Sequence, residues 1–150
     1  MATLFIDANI FPHAVGGEGP IATRVGPSSQ PWGQGRLAGV TSSEVLREIM
    51  HVRARRMGAF DAVAAVRATA ALVGEVLPVG VNDVLEACEL LAAHPRFRAR
   101  AALHAAVMRT AGIAVMVSVD RDFDAVPHVQ RVGSSEVMRQ RDDGGAPGKA

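Results

Sequence analysis

The sequence has a single cysteine, a single lysine and no long apolar run. One cysteine, Cys88, excludes an internal disulfide framework, and its apolar helical setting predicts an inert buried thiol. No apolar stretch approaches the length of about 20 residues that a membrane-spanning helix needs. The N-terminus begins with a strand-like run and does not resemble a signal peptide. We therefore expect a cytoplasmic protein with no membrane partner.

The amino-acid composition is typical of one folded domain. Hydrophobic residues make up 49% and charged residues 21% of the 150 residues, which excludes a disordered chain. The net charge of +1 gives no overall electrostatic indication of nucleic-acid binding. Fifteen of the sixteen basic residues are arginine, whose forked donors suit phosphate. Arginines cluster at 53–56 and 96–100, where they form either solvated helix faces or phosphate contacts.

Apolar runs and helical periodicities alternate along the chain. Strands are predicted at 3–6, 37–40, 76–79, 113–119 and 129–132. Helices are predicted after Thr41, at 60–73, at 83–93 with Asn82 as N-cap, and at 98–110 before a terminating Gly112. Strands that alternate with helices indicate an α/β fold, with a mostly parallel sheet flanked by helices.

Two segments differ from this pattern. Residues 16–36 are rich in glycine and proline without a helical period, so they predict a loop of unusual length for a compact domain. Residues 133–150 are polar and glycine-rich, and they predict a disordered tail. We therefore assign one domain to residues 1–132.

Carboxylates follow three of the predicted strands. Asp7 follows the first strand, Glu44 lies just past the second, and Asp120 and Asp122 follow the strand at 113–119. Because ligands bind outside the carboxyl ends of parallel strands, these acids should meet at one edge of the sheet. Clustered carboxylates stay ionised when a cation neutralises them, and oxygen ligands suit Mg²⁺ or Mn²⁺. Such a cation can activate water against a phosphodiester.

The same residues also have purely structural interpretations. Glu44 can complete a capping box with Thr41, and Asp120 and Asp122 can cap a short helix after their strand. Asp7 fits such a role less well, because an acid that closes a buried strand is unfavourable without a partner. His104 has apolar neighbours and is expected to be a packing histidine. The other histidines show no metal-ligand spacing.

Four motifs in this order resemble the PIN-domain ribonucleases, in particular the toxins of VapBC-type toxin–antitoxin pairs. They are FIDANI at 5–10, VTSSEVLREI at 40–49, ALHAA at 102–106 and SVDRDFD at 118–124. The resemblance implies a Rossmann-like PIN domain, Mg²⁺- or Mn²⁺-dependent cleavage of RNA, a homodimer, and a cognate antitoxin that binds over the active site. It implies that Asp7, Glu44 and Asp120 are catalytic metal ligands, with Asp122 as an auxiliary catalytic residue.

Two features depart from the family's pattern. The family usually carries an acid three residues before the motif histidine, and here that position is Ala101. Because cation affinity depends on ligand charge, we expect weak metal binding and impaired or absent activity. Residues 20–36 replace a family helix at about the same length, which two compensating frameshifts would produce. A single undisturbed reading frame shared with helical relatives would exclude that hypothesis.

Two other functions are compatible with parts of the sequence. A catalytically inactive PIN-like module would bind an antitoxin or RNA without cutting, and Ala101 favours it. Response-regulator receivers and haloacid-dehalogenase-like phosphatases also place an aspartate after the first strand. Both rely on an active-site lysine, whereas the single lysine here is Lys149 in the predicted tail. The ribonuclease is therefore the favoured interpretation.

Overall fold

The structure, a computed structural model, describes residues 3–11 and 38–136. Its strands are β1 (Thr3–Ile6), β2 (Ala38–Ser42), β3 (Glu75–Leu77), β4 (Val115–Val117) and β5 (Gln130–Val132). Its main helices are α1 (Ser43–Met57), α2 (Ala59–Leu72), α3 (Val81–Ala93) and α4 (Ala99–Thr110). Short 3-10 helices follow β1 at Ala8–Ile10 and β4 at Arg121–Ala125. The predicted alternation of strands and helices is confirmed.

The strands form one parallel sheet in the order β3-β2-β1-β4-β5, with β1 at its centre. Phe5 of β1 pairs in register with Val40 of β2 on one side and with Met116 of β4 on the other. The chain runs outward from β1 to β3 and then crosses to the other side of β1 for β4 and β5. This reversal lies between β1 and β4, and ligands of open parallel sheets bind at the strand ends there.

The central strands are buried on both faces of the sheet. Phe5, Ile6, Met116 and Val117 are all inaccessible to solvent. Double burial explains why these strands appear in the sequence as continuous apolar runs without alternation. Helix α4 is buried almost all round in its middle, at Ala101, Ala102, Ala105, Ala106, Val107 and Met108. A helix covered on several sides needs small residues where neighbouring elements approach closely.

The start of α1 differs from the prediction. Its N-cap is Ser42, whose Oγ accepts the N–H of Val45 at 3.3 Å. Thr41 donates its hydroxyl to the Ile6 carbonyl at 2.8 Å and so ties β2 to β1. The predicted capping box of Thr41 with Glu44 is therefore wrong, because the Thr41 hydroxyl is used between strands.

Helix α3 also begins earlier than predicted. Its N-cap is Gly80, whose N–H donates to the Asp83 carboxylate at 2.8 Å, so Asn82 lies inside the first turn and is not the cap. Cys88 is exposed, and the predicted buried thiol is wrong. The side of α3 that carries Ala87 and Leu90 is the buried one, whereas the Cys88 side faces outward.

Several boundaries are set by local backbone geometry. Gly112 follows α4 with φ of +69°, a conformation that favours glycine, as predicted for a helix terminator. The predicted strand at 113–119 pairs only over Val115–Val117, because Ser118 and the residues after it turn into the 3-10 helix. None of the helices in the described ranges is both long and apolar enough to cross a membrane.

Two predicted segments lie outside the described residues. The loop at 16–36 and the frameshift hypothesis fall between the ranges 3–11 and 38–136. Most of the predicted tail falls after residue 136, while residues 134–136 are helical. The domain boundary at residue 132 stays a prediction.

Candidate active site

Asp7 is fully buried at the carboxyl end of β1. Its Oδ1 accepts the N–H of Ala8 at 2.7 Å, and its Oδ2 accepts the Ser118 hydroxyl at 2.7 Å and the Asn9 side-chain amide at 3.2 Å. Its own N–H donates to the Val117 carbonyl at 3.0 Å. A buried carboxylate is tolerated only with such partners. These bonds fix Asp7 at the point where the strand order reverses.

Asn9 and Ser118 connect the ends of β1 and β4 around Asp7. The Ser118 Oγ accepts the Asn9 amide at 3.2 Å and the Asp120 N–H at 3.1 Å. The Asn9 Oδ1 accepts the Val119 N–H at 3.3 Å. Sequence reasoning missed both residues as part of the site. The available signal was the single polar residue, Ser118, within an otherwise apolar run.

Arg100, in the first turn of α4, spans three carboxylates. Its Nη1 lies 2.8 Å from Glu48 Oε1 and 3.6 Å from Asp7 Oδ1, and its Nη2 lies 2.9 Å from Asp120 Oδ2. Burial lowers the pKa of Arg100, but the charges of Asp7 and Glu48 outweigh burial and raise it. One guanidinium thus neutralises part of the cluster and holds acids from three elements together.

Glu48 and His104 complete the cluster from α1 and α4. Asp7, Glu48 and His104 each present one possible ligand atom, and these atoms lie within 4.8 Å of one another. The His104 Nε2 is 3.9 Å from Asp7 Oδ1 and 3.8 Å from Glu48 Oε2. Glu48 Oε2 and both His104 ring nitrogens are buried without a hydrogen-bond partner among the residues that the structure describes. The His104 ring contacts Phe5 and Phe123, with centroids 5.7 and 6.2 Å apart. His104 is buried, as expected for a packing histidine, but its ring nitrogens are not satisfied and Nε2 faces the carboxylates.

Sequence reasoning missed Glu48, which lies four residues after Glu44 in the same motif. Val45 and Ile49 form the buried face of α1, and Glu48, three residues after Val45, lies on that face. Burial raises the pKa of Glu48, but His104 and Arg100 together outweigh burial and lower it. Glu48 is therefore ionised at neutral pH.

Glu44 lies outside the cluster in this structure. Its two carboxylate oxygens accept bonds from Arg47 at 2.6 and 3.0 Å. Within residues 3–11 and 38–136, no hydrogen bond or ion pair joins Glu44 to Asp7 or Asp120. The metal role of Glu44 stays a prediction, and the structure supplies Glu48 as a second candidate from the same helix.

The two aspartates after β4 have different surroundings. Asp120 Oδ1 accepts the Asp122 N–H at 3.0 Å, so Asp120 caps the 3-10 helix and also reaches the cluster through Arg100. Asp122 faces outward, with 49% of its side chain exposed, and its Oδ2 lies 3.3 Å from Arg98 Nε. Capping and clustering are thus compatible for Asp120, whereas Asp122 lies on the rim.

The donor set fits a divalent metal ion. Asp7, Glu48 and His104 present one ligand atom each, and two of those atoms lack any other partner in the described chain. Asp120 can add a third carboxylate, because it shares Arg100 with Asp7 and Glu48. Carboxylate oxygens suit hard divalent cations, and imidazole nitrogen suits several transition metals. A cation at these atoms would neutralise the same charges that Arg100 neutralises.

The chain is similar to known proteins in both sequence and structure. Residues 4–129 match the PIN domain family. Ribonuclease VapC13 of Mycobacterium tuberculosis is 37% identical over 138 residues, which cover 86% of this chain and 98% of that protein. The crystal structure of Mycobacterium tuberculosis VapC20, a sarcin–ricin loop cleaving toxin, has a TM-score of 0.63 and 28% identity, covering 81% of this chain and 93% of that one.

A more distant structure shares the fold. VapBC2 from Rickettsia felis, bound to a DNA fragment from its promoter, has a TM-score of 0.67 at 11% identity, covering 87% of this chain and 98% of that one. The match over residues 4–129 and the identity to VapC13 extend over most of the chain. The chain therefore belongs to the PIN-domain family and, within it, to the VapC-type ribonucleases of toxin–antitoxin systems.

Proposed function

We propose that this protein is an endoribonuclease toxin whose catalytic carboxylates are Asp7, Glu48 and Asp120. The observation that carries the proposal is the convergence of these three acids on the Arg100 guanidinium where the strand order reverses. Its relatives support RNA as the substrate, since VapC13 is named a ribonuclease and VapC20 a toxin that cleaves the sarcin–ricin loop.

The same residues would hold Mg²⁺ or Mn²⁺, with His104 beside them. When bound, such an ion supplies an activated water and stabilises the leaving oxygen of the phosphodiester. Asn9 and Ser118 orient Asp7 through its Oδ2, so that Oδ1 faces the cluster. Glu48 contributes an anionic ligand because its pKa is lowered. Arg100 keeps the acids together before an ion arrives.

Two glutamates of α1 allow a matched test of the ligand set. We expect Glu48→Gln to lose at least about 100-fold of Mg²⁺-dependent RNA cleavage, because it removes the charge of a partly buried ligand. Glu44→Gln should cleave within about threefold of the wild type, since Glu44 pairs with Arg47 outside the cluster. Cleavage of structured RNA with Mg²⁺ or EDTA, followed on gels, measures both. The opposite ranking would return the metal site to Glu44.

Asp7→Asn serves as the reference for loss of the whole site. Because Asp7 is buried and bonded on both oxygens, the variant removes a charge while keeping the shape of the side chain. We expect cleavage to fall to the level seen in EDTA. Metal-dependent cutting that is unchanged in Asp7→Asn would remove the carboxylate site from the mechanism.

A second candidate function is a PIN-like module that binds RNA or antitoxin without cutting. Ala101 favours it, because an alanine stands where the family usually has an acid, and Arg100 already neutralises part of the cluster. Ala101→Asp discriminates between the two functions: an impaired enzyme should cut faster with the added acid. Equal cutting by both proteins would mean that Ala101 causes no impairment. Binding without cutting by either protein would favour the module.

We also propose a cognate antitoxin partner, a homodimeric toxin and a location in the cytoplasm, where RNA is accessible. The antitoxin is supported by the solved VapBC2 assembly of Rickettsia felis, which shares this fold. Co-expression with the product of a small neighbouring gene should yield a complex that no longer cleaves RNA. The mass of the isolated toxin by light scattering tests the dimer, since a mass near 15.7 kDa would exclude it.

A further inference from the structure

A cavity of about 760 Å³ opens beside the carboxylate cluster. It lies between the connection from α3 to α4 and the 3-10 helix that follows β4. Ala101 and Asp122 are part of its wall, and because they lie within two residues of Arg100 and Asp120 in the chain, the cavity adjoins the active site. Asp7, Glu48 and Asp120 do not line it. The catalytic proposal therefore leaves this space without a role.

The wall of the cavity is strongly basic. Arg96, Arg98 and Arg121 line it against a single carboxylate, Asp122. Arg96 and Arg121 are exposed, and neither forms a salt bridge within residues 3–11 and 38–136. Arg98 contacts Asp122 at 3.3 Å, but the two side chains are 78% and 49% exposed, so solvent weakens the pair. Three guanidinium groups are thus available to an anionic ligand that carries several charges.

The same wall carries a stacked pair of rings. His94 and Phe97 have centroids 4.7 Å apart and planes inclined by 20°. The connection that carries them is ordered by backbone bonds, from the Phe97 N–H to the His94 carbonyl at 3.0 Å and from the His94 N–H to the Leu90 carbonyl at 2.9 Å. Flat rings beside basic groups are the usual platform for unpaired nucleobases.

Ala101 affects this wall as well as the cluster. It is buried, it lines the cavity, and it follows Arg100, which faces the carboxylates. A carboxylate at this position would repel a phosphate that enters the cavity. The alanine leaves Asp122 as the one carboxylate that lines the cavity with the arginines, which favours the binding of an anion.

We infer that this cavity is a groove for single-stranded RNA, which holds the nucleotides next to the bond that is cut. The arginines contact phosphates, and the ring pair stacks against a base. The inference rests on the proposed function, because it takes the RNA cut at the neighbouring carboxylates as its ligand. A protein partner with acidic side chains would use the arginines but not the rings, and it is an outcome of the test.

Binding can be measured without cleavage. The full chain in EDTA is titrated against a fluorescent single-stranded oligoribonucleotide, with fluorescence anisotropy as the readout, at several salt concentrations. Arg96→Gln and Arg121→Gln should each weaken binding about fivefold or more at low salt. Each should also lower the slope of log K against log salt by about 0.7, the value for one phosphate contact on a single strand.

Arg67→Gln is the matched control, because Arg67 is an exposed arginine of α2 that does not line the groove. It should bind within about twofold of the wild type and keep the same salt slope. If Arg67→Gln lost as much RNA affinity as the groove variants, the attraction of RNA to the protein would be nonspecific, and the inference would be wrong. Unchanged binding in both groove variants would also overturn it.

The ring pair gives an independent readout. Phe97→Leu keeps an apolar side chain where Phe97 packs against the core, and its thermal unfolding is checked first. It should weaken binding several-fold and reduce the preference for single strands over duplexes. If Phe97→Leu is unstable, His94→Ala replaces it, because His94 is not part of the core. Tight binding of poly-glutamate without RNA binding would instead assign the groove to a protein partner.

The two proposals fail separately. If the wild type cuts RNA and the groove variants bind RNA normally, the proposed function stands and the groove proposal is wrong. If the wild type cuts no RNA but the groove variants bind RNA more weakly, the groove proposal stands and the proposed catalysis is wrong.

Discussion

Arg100 is the residue that contacts all three carboxylates of the site. Its guanidinium group places one positive charge beside Asp7, Glu48 and Asp120, and its side chain is 33% exposed. A divalent ion would neutralise the same carboxylates, so the guanidinium and the ion stabilise the cluster in the same way.

Arg100→Met should destabilise the ion-free protein and increase its response to metal. Removing the cation leaves partly buried carboxylates unpaired, which costs about 1–3 kcal/mol of unfolding free energy for a site with this exposure. Mn²⁺ should then raise the unfolding temperature more than it does in the wild type, because it restores the missing charge. Thermal unfolding in EDTA and in Mn²⁺ measures both effects.

Arg109→Met is the control for this variant, since Arg109 lies on the same helix and pairs with Glu86 on the exposed side. It should lose little stability and respond to Mn²⁺ as the wild type does. An equal Mn²⁺ response in both variants would mean that Arg100 does not compete with the ion.

At the scale of elements, α4 positions most of the site. It carries Arg100 and His104 on the side that faces the carboxylates, and small residues allow it to approach the sheet. Ala105 and Ala106 are inaccessible to solvent. A tightly covered helix of this kind fixes its polar side chains in place, because it has no room to shift.

Ala106→Leu should therefore destabilise the protein by about 1–3 kcal/mol through overpacking. Ala99→Leu, on the exposed first turn of the same helix, should change the unfolding free energy by less than about 0.5 kcal/mol. Urea denaturation followed by circular dichroism measures both variants. Similar changes in unfolding free energy for the two variants would show that α4 packs more loosely than the burial of Ala106 indicates.

At the scale of the molecule, four separate elements contribute to one site. Asp7 follows β1, Glu48 lies on α1, Arg100 and His104 lie on α4, and Asp120 follows β4. Their charges are therefore present together only in the folded chain, which couples the protonation of the site to global stability.

We expect the contribution of Glu48 to stability to decrease at acid pH. Its folded-state pKa lies below the ordinary value of 4.5, so it stabilises the fold above pH 4.5, and this contribution is lost as the pH falls through the folded-state pKa. In EDTA, the stability difference between the wild type and Glu48→Gln should be largest near pH 6 and should shrink towards pH 3. Unfolding free energies across this range test it. Glu44→Gln is the control, and an identical pH profile for both variants would contradict the prediction.

The sequence by itself determined the alternation of strands and helices, and it placed Asp7 and Asp120 after strands that prove to be neighbours. Periodicity and strand-end chemistry are local, so they predicted a parallel α/β fold with Asp7 and Asp120 at one edge of its sheet. The helix caps were predicted less well. The Thr41 hydroxyl donates to the neighbouring strand, and the Gly80 N–H donates to Asp83 within the turn that begins α3.

Only the tertiary structure decided which side chains meet. Glu44 and Glu48 are equivalent in a local pattern, and the packing of α1 against the sheet turned Glu48 towards Asp7 while Glu44 met Arg47. The cation among the acids, Arg100, comes from a helix more than 90 residues after Asp7. A local pattern specifies the type of residue at a helix face, whereas a charge cluster depends on distances between elements that only packing sets.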